Sequence, residues 1–249
     1  MPKSAPRKLT VIRSQQISPN MKRITLGGSE LEGFPPNQES AYLKLQIPDV
    51  DQESVVTRTY TVRNYREELN ELDVDFVVHG DSGPASAWAS RVQPGDGIIV
   101  AGPGGKKLLD FSADWFVLAG DMTALPAISV NIEQLPDHAR GYAVIEILHE
   151  SDIQALQTPD AFEIHWVVNP RPEQENSLLL DKLMQLPWLE GRPSIWAACE
   201  FNNMRALRFY FKQEKAVEKN AVYVSSYWKR GLSEEQHKKV KRTDAETAS

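Results

Sequence analysis

The chain changes rhythm once, and that change limits what it can fold into. Up to the Gly-Pro-Gly-Gly stretch at 102–105, apolar residues recur with period two in short runs bounded by Gly, Pro, Asn or Asp. Beyond it, nearly all-apolar runs alternate with helical patterns. Period two in short segments predicts antiparallel strands with one buried face, whereas apolar strands separated by helices predict a parallel sheet covered on both faces. A single layer cannot satisfy both patterns, so the chain is expected to form two domains, residues 1–105 and 106–249. At 249 residues it is long enough for two ordinary cores.

The first domain is expected to be a six-stranded antiparallel β-barrel. Its strands are predicted at 9–13, 21–27, 41–47, 58–63, 72–76 and 97–101, with a short helix at 85–91. In 41–47, Ala41, Leu43, Leu45 and Ile47 share one face, so Lys44 projects from the polar one. The second domain is expected to be a Rossmann-like parallel α/β unit, giving a β plus α/β fold overall. Its strands are predicted at 115–119, 142–149, 162–168, 194–198 and 221–226 with helices between them, the longest at 202–217. Ligands of such sheets bind beyond the C-terminal ends of the strands.

Composition excludes several functions. One cysteine, Cys199, makes neither an internal disulfide nor a four-thiolate cluster, so redox chemistry requires an organic cofactor. A net charge of -6 argues against a general nucleic-acid binder. No apolar run approaches the roughly 20 residues of a membrane span, and the N-terminal MPKSAPRKLT has no apolar segment behind it. A cytoplasmic location is the expectation. Residues 228–242 carry six basic residues against two acidic ones, a basic tail on an acidic chain.

Two segments carry chemistry. RTYTVR at 58–63 puts an arginine, an aromatic ring and a hydroxyl on one strand. Arg58 can fork onto a pyrophosphate, Tyr60 can cover an isoalloxazine face, and Thr61 can bond the reactive edge of the ring. By itself this is equally an ordinary strand. VHGDSGPASAWAS at 78–90 places Gly83 and Pro84 before a helix, where free backbone N–H groups face a phosphate and Ser86 adds a hydroxyl. The conjunction of the two favours a flavin dinucleotide.

Together they resemble the R-x-Y-T-V/I-R and H-G-x-x-G-P-A-S-x-W-A motifs of the siderophore-interacting protein family, a branch of the ferredoxin-reductase-like flavoproteins. The resemblance continues through AGDMTALPAI at 119–128, WAACE at 196–200 and YWKRG at 227–231. It implies that Arg58, Tyr60, Thr61, His79, Gly83, Ala85, Ser86 and Trp88 contact FAD, with Asp121 and Thr123 reaching it from the second domain. Two positions depart from the pattern. Met122 stands where the family has an acidic residue, read here as the loss of a surface carboxylate, and Cys199 stands where it generally has Gly. Cys199 is read as a buried structural thiol.

The resemblance further implies a ferric-siderophore reductase that releases Fe(II) in the cytoplasm. Ferric catecholates are bulky anions, so an open basic cleft is expected, with Lys44, Lys229 and Arg230 as its candidates. No metal site is expected; iron arrives with the siderophore. The electron donor is expected to be NADH or reduced ferredoxin. Glu150 and Asp152 follow the second strand of the sheet without an arginine for a 2'-phosphate, and the basic tail offers a surface to an acidic ferredoxin. A general flavin diaphorase and a non-catalytic siderophore carrier are the alternatives.

Overall fold

A computed structural model describes residues 5–48, 55–78 and 83–247. The chain divides into two units, Met1–Lys107 and Leu108–Ser249.

Unit 1 holds strands β1 (Arg7–Ser18), β2 (Met21–Gly27), β3 (Tyr42–Pro48), β4 (Val55–Thr61), β5 (Asn64–Arg66), β6 (Glu71–Val77) and β7 (Gly97–Ala101) in one antiparallel sheet of order β4-β3-β7-β1-β2-β6-β5. Only Val62 and Arg63 separate β4 from β5, yet these strands lie at opposite ends of that order. The sheet therefore curls until its ends meet, and β4 and β5 act as one bent strand. That closure is the expected barrel; β5, three residues long, is too short to read from period two.

The predicted alternation of β3 holds. Leu43, Leu45 and Ile47 are fully buried and Lys44 is exposed. Each buried side chain of this size contributes about 1.5–3 kcal/mol. On β6, Leu72, Val74 and Phe76 fill the core. The intervening Asp73 and Asp75 are buried under arginines: Arg66 forks onto Asp73, and Arg23 onto Asp75 at 2.7 and 2.8 Å. Helix α1 (Pro84–Arg91) packs Trp88 and Ala89 into the same core.

Unit 2 is a five-stranded sheet of order β10-β9-β8-β11-β12, every pair parallel, built from β8 (Trp115–Gly120), β9 (Arg140–Ile147), β10 (Ala161–Val168), β11 (Pro193–Glu200) and β12 (Val222–Trp228). Helix α2 (Leu125–Glu133) links β8 to β9. Helices α3 (Leu178–Gln185) and α4 (Phe201–Phe209) cover one face, where Leu179, Leu183, Met204 and Leu207 pack on Val117, Ala119, Val144 and Ala197. The chain runs outward from β8 to β10 and then returns to start β11 on the other side of β8. The topological switch thus lies between β8 and β11.

Three expectations change here. No α-helix joins β9 to β10, only the short 3-10 turn Glu150–Asp152 and irregular chain. The helix expected over 202–217 ends at Phe209 and widens into a π-type turn, Tyr210–Glu214, which lets the adjacent Tyr210 and Phe211 both bury. The longest helix is α5 (Glu234–Thr247), formed by the charged tail. Its docking is largely polar: His237 Nε2 lies 2.8 Å from Ser226 Oγ, Lys241 Nζ donates to Ser225 Oγ and Ser226 O at 2.7 Å, and Arg208 forks onto Asp244. Among the described residues no helix is long and apolar enough to cross a membrane.

Candidate functional site

In unit 1 the candidate residues gather on β4 and the start of α1. Opposed residues of an antiparallel pair share a face, and Tyr60 opposes Leu43 while Arg58 opposes Leu45. Arg58 and Tyr60 therefore emerge on the core side of the strand. Tyr60 stacks on Phe76 at 4.2 Å between centroids, and Phe76 meets Trp88 at 5.4 Å, so three rings join β4 to α1. Thr61 lies on the other face, opposite Tyr42, one step from the Lys44–Thr59 pair. RTYTVR is thus split, with Thr61 sharing its face with Lys44. The last residue of the motif, Arg63, lies 3.8 Å from Asp75 as an ion pair.

Helix α1 opens at Pro84 without a side-chain cap. Gly83 precedes it at φ +114°, a backbone that L side chains rarely adopt, and space is open where its Cβ would stand. Ala85 is half-buried and Ser86 buried. An uncapped helix start beside an open glycine, one aromatic chain away from Tyr60 and Arg58, suits the phosphate and ring of a flavin dinucleotide. His79 lies outside the described residues.

In unit 2 the candidates converge on the switch point. Gly120 ends β8, where a Cβ would fall 2.5 Å from the Ala198 carbonyl oxygen, so only glycine lets β8 and β11 pair this closely. Next comes Asp121, buried, with every lone pair used: Oδ1 accepts from Thr123 N and Oγ1 at 3.0 and 2.5 Å, Oδ2 from Glu200 N and Trp228 Nε1 at 2.9 and 2.8 Å. Asp121 therefore ties the ends of β8, β11 and β12 together. Burial pushes its carboxyl above the usual range despite these donors. Thr123 is exposed at the start of the turn. Met122 is buried at 4 % exposure, so its side chain belongs to the core and the reading of a lost surface carboxylate does not hold.

Glu200 caps α4 by accepting from Asn202 N and Asn203 N, and it also accepts from Arg230 N. The Arg230 guanidinium sits 2.7 Å from Glu200 Oε2 as an ion pair and donates through Nε to Pro172 O. Lys229 stands 4.1 Å over the Phe201 ring and donates to Asn202 Oδ1. Cys199 is fully buried between these groups, and burial pushes its thiol well up, so it holds its proton. The neighbouring cavity, about 390 Å³, is lined by Glu175, Asn176, Ser177, Leu180, Asn202, Asn203 and Ala206, with no cation among them.

Part of the basic tail is paired or buried, while Lys239 is exposed. Lys229 and Arg230 are committed as described, Lys238 pairs with Glu234, Arg242 with Glu246, and Lys241 is half-buried on β12. Helical spacing sets Glu234 one turn from Lys238 and Glu246 one turn from Arg242, on cations that stay at least half exposed.

Sequence reasoning passed over two residues, Glu146 and Arg171. Glu146, near the end of β9, is buried; Asn169 Nδ2 donates to its Oε1 at 2.8 Å and its Oε2 has no hydrogen-bond partner. Burial raises its carboxyl to about 7. A lone glutamate in the apolar run YAVIEI was the available signal. Asp152, named with Glu150 as an acid after the second strand of the sheet, is buried and accepts from His149 N. Arg171 follows β10, whose turn bonds back to β9 through Asn169 N and Ile147 O. An arginine thus stands near the end of β9 after all, supplied by the adjacent strand.

A closed antiparallel sheet followed by a parallel 3-2-1-4-5 sheet, with residue types that suit a flavin on the first, is a ferredoxin-reductase-like fold. Residues 10–56 and 49–107 match the siderophore-interacting FAD-binding domain, and residues 113–231 match the siderophore-interacting protein model. The chain is 38% identical to ferric vibriobactin reductase ViuB of Vibrio cholerae over 92% of each. It is 29% identical to an NADPH-dependent ferric-chelate reductase of Escherichia coli over 89% of this chain and 92% of that one. The crystal structure of the siderophore-interacting protein SipS from Aeromonas hydrophila superposes with a TM-score of 0.86 at 32% identity, covering 97% of this chain and 98% of that chain. The chain belongs to the siderophore-interacting protein family, and its cofactor is FAD.

Proposed function

We propose that this protein reduces ferric siderophores to the ferrous state in the cytoplasm, with NADH as electron donor and reduced ferredoxin as the alternative donor. The observation that carries the reading is the match of both units, end to end, to a family whose relatives are named for this activity. When bound, FAD supplies acceptance of an electron pair and its release one electron at a time.

The residues of this chain bind and orient. Arg58 and the α1 start around Gly83, Ala85 and Ser86 take the phosphates, Tyr60 backed by Phe76 and Trp88 takes the ring, and Thr61 takes its edge. His79, Asp121 and Thr123 complete the set by family resemblance. Lys44, Lys229 and Arg230 draw the anionic ferric chelate. Reduction then suffices for release, because Fe(II) is held far more weakly than Fe(III) by hard oxygen donors.

For the donor, the cavity beside α4, whose one charged lining residue is Glu175, favours a nucleotide without a 2'-phosphate. The ion pairs within the tail weaken the argument for ferredoxin docking there. Arg171 and the Escherichia coli relative make NADPH the donor to eliminate. The test has two arms. FAD-loaded protein, reduced with dithionite, is mixed with a ferric catecholate and Fe(II) is trapped by a chromogenic chelator; absence of Fe(II) refutes the reductase. Stopped-flow mixing with NADH, NADPH and reduced ferredoxin compares donors, and flavin bleaching that is fastest with NADPH overturns the NADH assignment.

A further inference from the structure

The C-terminal row of the unit 2 sheet brings unusual groups side by side. Gly120 pairs with Ile145 and with Ala198, so one residue further along Asp121 lies between Glu146 on β9 and Cys199 on β11, with Ser226 of β12 beyond. Asp121 and Glu200 are fully served by donors. Glu146 is not, since one of its oxygens meets only Asn169 and the other has no partner.

From Asn169 a chain of contacts leads to Arg230. Asn169 N donates to Ile147 O at 2.7 Å, Arg171 N donates to Asn169 Oδ1 at 3.1 Å, and Pro172 O accepts from Arg230 Nε at 2.8 Å. The turn 169–172 is thus held from below by Glu146 and in turn holds the guanidinium, whose side chain is 14% exposed.

We propose that Glu146 is a positioning residue for the ferric-chelate cleft: it fixes the turn on which Arg230 rests, and its charge state sets how much of the Arg230 charge remains for an anionic chelate. The inference rests on the reading that Lys44, Lys229 and Arg230 draw that chelate. The charged and titratable groups acting on Glu146 are Asp121 of β8, Glu200 and Cys199 of β11, and Arg230 after β12, with Asn169 as its neutral contact. With Glu146 neutral, the two carboxylates Asp121 and Glu200 balance the two cations Lys229 and Arg230. Ionised Glu146 adds one negative charge in a poorly solvated place, near enough to Arg230 to act on its charge. Its carboxyl titrates near neutrality, so this change falls within the working range of the protein.

The test is the dissociation constant of ferric 2,3-dihydroxybenzoate, read by tryptophan quenching of FAD-loaded full-length protein between pH 5.5 and 8.5. Wild type is compared with Glu146→Gln, and their ratio cancels the pH dependence of the chelate itself. A coupling of half to one pH unit predicts a wild-type to variant ratio near one at pH 5.5 that rises about three- to ten-fold by pH 8.5. A neutral ferric trihydroxamate should show no such rise. A structural defect shifts the ratio equally at all pH values, so a flat ratio overturns the proposal. Asn169→Ala cuts the link while leaving the carboxyl and is expected to weaken catecholate binding at both extremes; binding equal to wild type also overturns it. Lys44→Ala and Lys229→Ala separate the two readings. If they bind as wild type, the cleft itself is misassigned; if they weaken binding while the Glu146→Gln ratio stays flat, only the role of Glu146 falls.

Discussion

The buried Glu146 carboxyl makes a thermodynamic prediction whose sign follows from its surroundings. Its pKa rises from 4.5 to about 7, chiefly through burial. Native protein therefore holds a proton that unfolded protein releases between those values. Stability falls as pH rises through that window and is level above it. The distance from 4.5 to about 7, at about 1.4 kcal/mol per pH unit, amounts to about 3 kcal/mol. Glu146→Gln keeps an oxygen for Asn169 and cannot ionise, but it places two N–H donors where Oε2 had no partner, a constant cost of about 1–2 kcal/mol. The offset is the same at every pH, so the informative quantity is the change in the mutational effect between pH 5 and pH 8. The variant should gain about 3 kcal/mol relative to wild type across that range. Asp121 raises the Glu146 pKa, and that repulsion is already contained in the value of about 7, so it adds nothing further to the gain. Urea unfolding followed by tryptophan fluorescence reads unit 2, which holds five of the six tryptophans: Trp115, Trp166, Trp188, Trp196 and Trp228. Parallel stability curves for the two proteins would refute the reasoning.

Other perturbations test other parts of the molecule. Tyr60→Ala removes a ring stacked on Phe76 and should weaken FAD binding by about ten-fold, seen as flavin lost on dialysis; full retention argues against Tyr60 as a ring contact. Gly120→Ala sets a Cβ against the Ala198 carbonyl and should cost unit 2 about 3 kcal/mol or more, so a variant as stable as wild type would show that β8 and β11 can part without penalty. His237 is buried against Ser226 with its pKa lowered, mainly by burial. Its contribution is therefore complete above the unfolded value near 6.5 and fades as pH drops below it, and His237→Gln should flatten that acid limb in hydrogen exchange of α5. Lys44→Ala should raise KM for a ferric catecholate several-fold and leave kcat unchanged, whereas equal loss in both would place Lys44 in the electron-transfer step.

What the sequence disclosed and what it withheld divide by the range of the interactions. Period two located the strands of unit 1 because apolar and polar residues alternate along them, as Leu43, Lys44 and Leu45 illustrate, even where the polar face is itself covered, as at Asp73 and Asp75. The apolar runs located all five strands of unit 2 for the complementary reason that both faces are covered. The bend that sets β4 and β5 at opposite ends of one sheet has no local pattern, since closure is decided by β3 and β6 from either side. The same holds at the switch point. Asp121 was legible as a motif position, but its use as a four-fold acceptor depends on Trp228, 107 residues away, and on the Glu200 amide. Arg230 read as a surface cation because no sequence rule links it to Glu200 and Pro172. Two ion pairs of the tail, Glu234 with Lys238 and Arg242 with Glu246, lie one helical turn apart, a spacing visible only once the segment is taken as a helix. Where a candidate residue was placed by its neighbours in the chain, its element is as expected: Tyr60 lies on a strand and Gly83 at a helix start. Where distant strands decide, a charge written on the surface by composition becomes a strut between strand ends. That is why the candidate chelate cations are better weighed singly, with Lys44 exposed on its strand face and Arg230 carrying part of the fold.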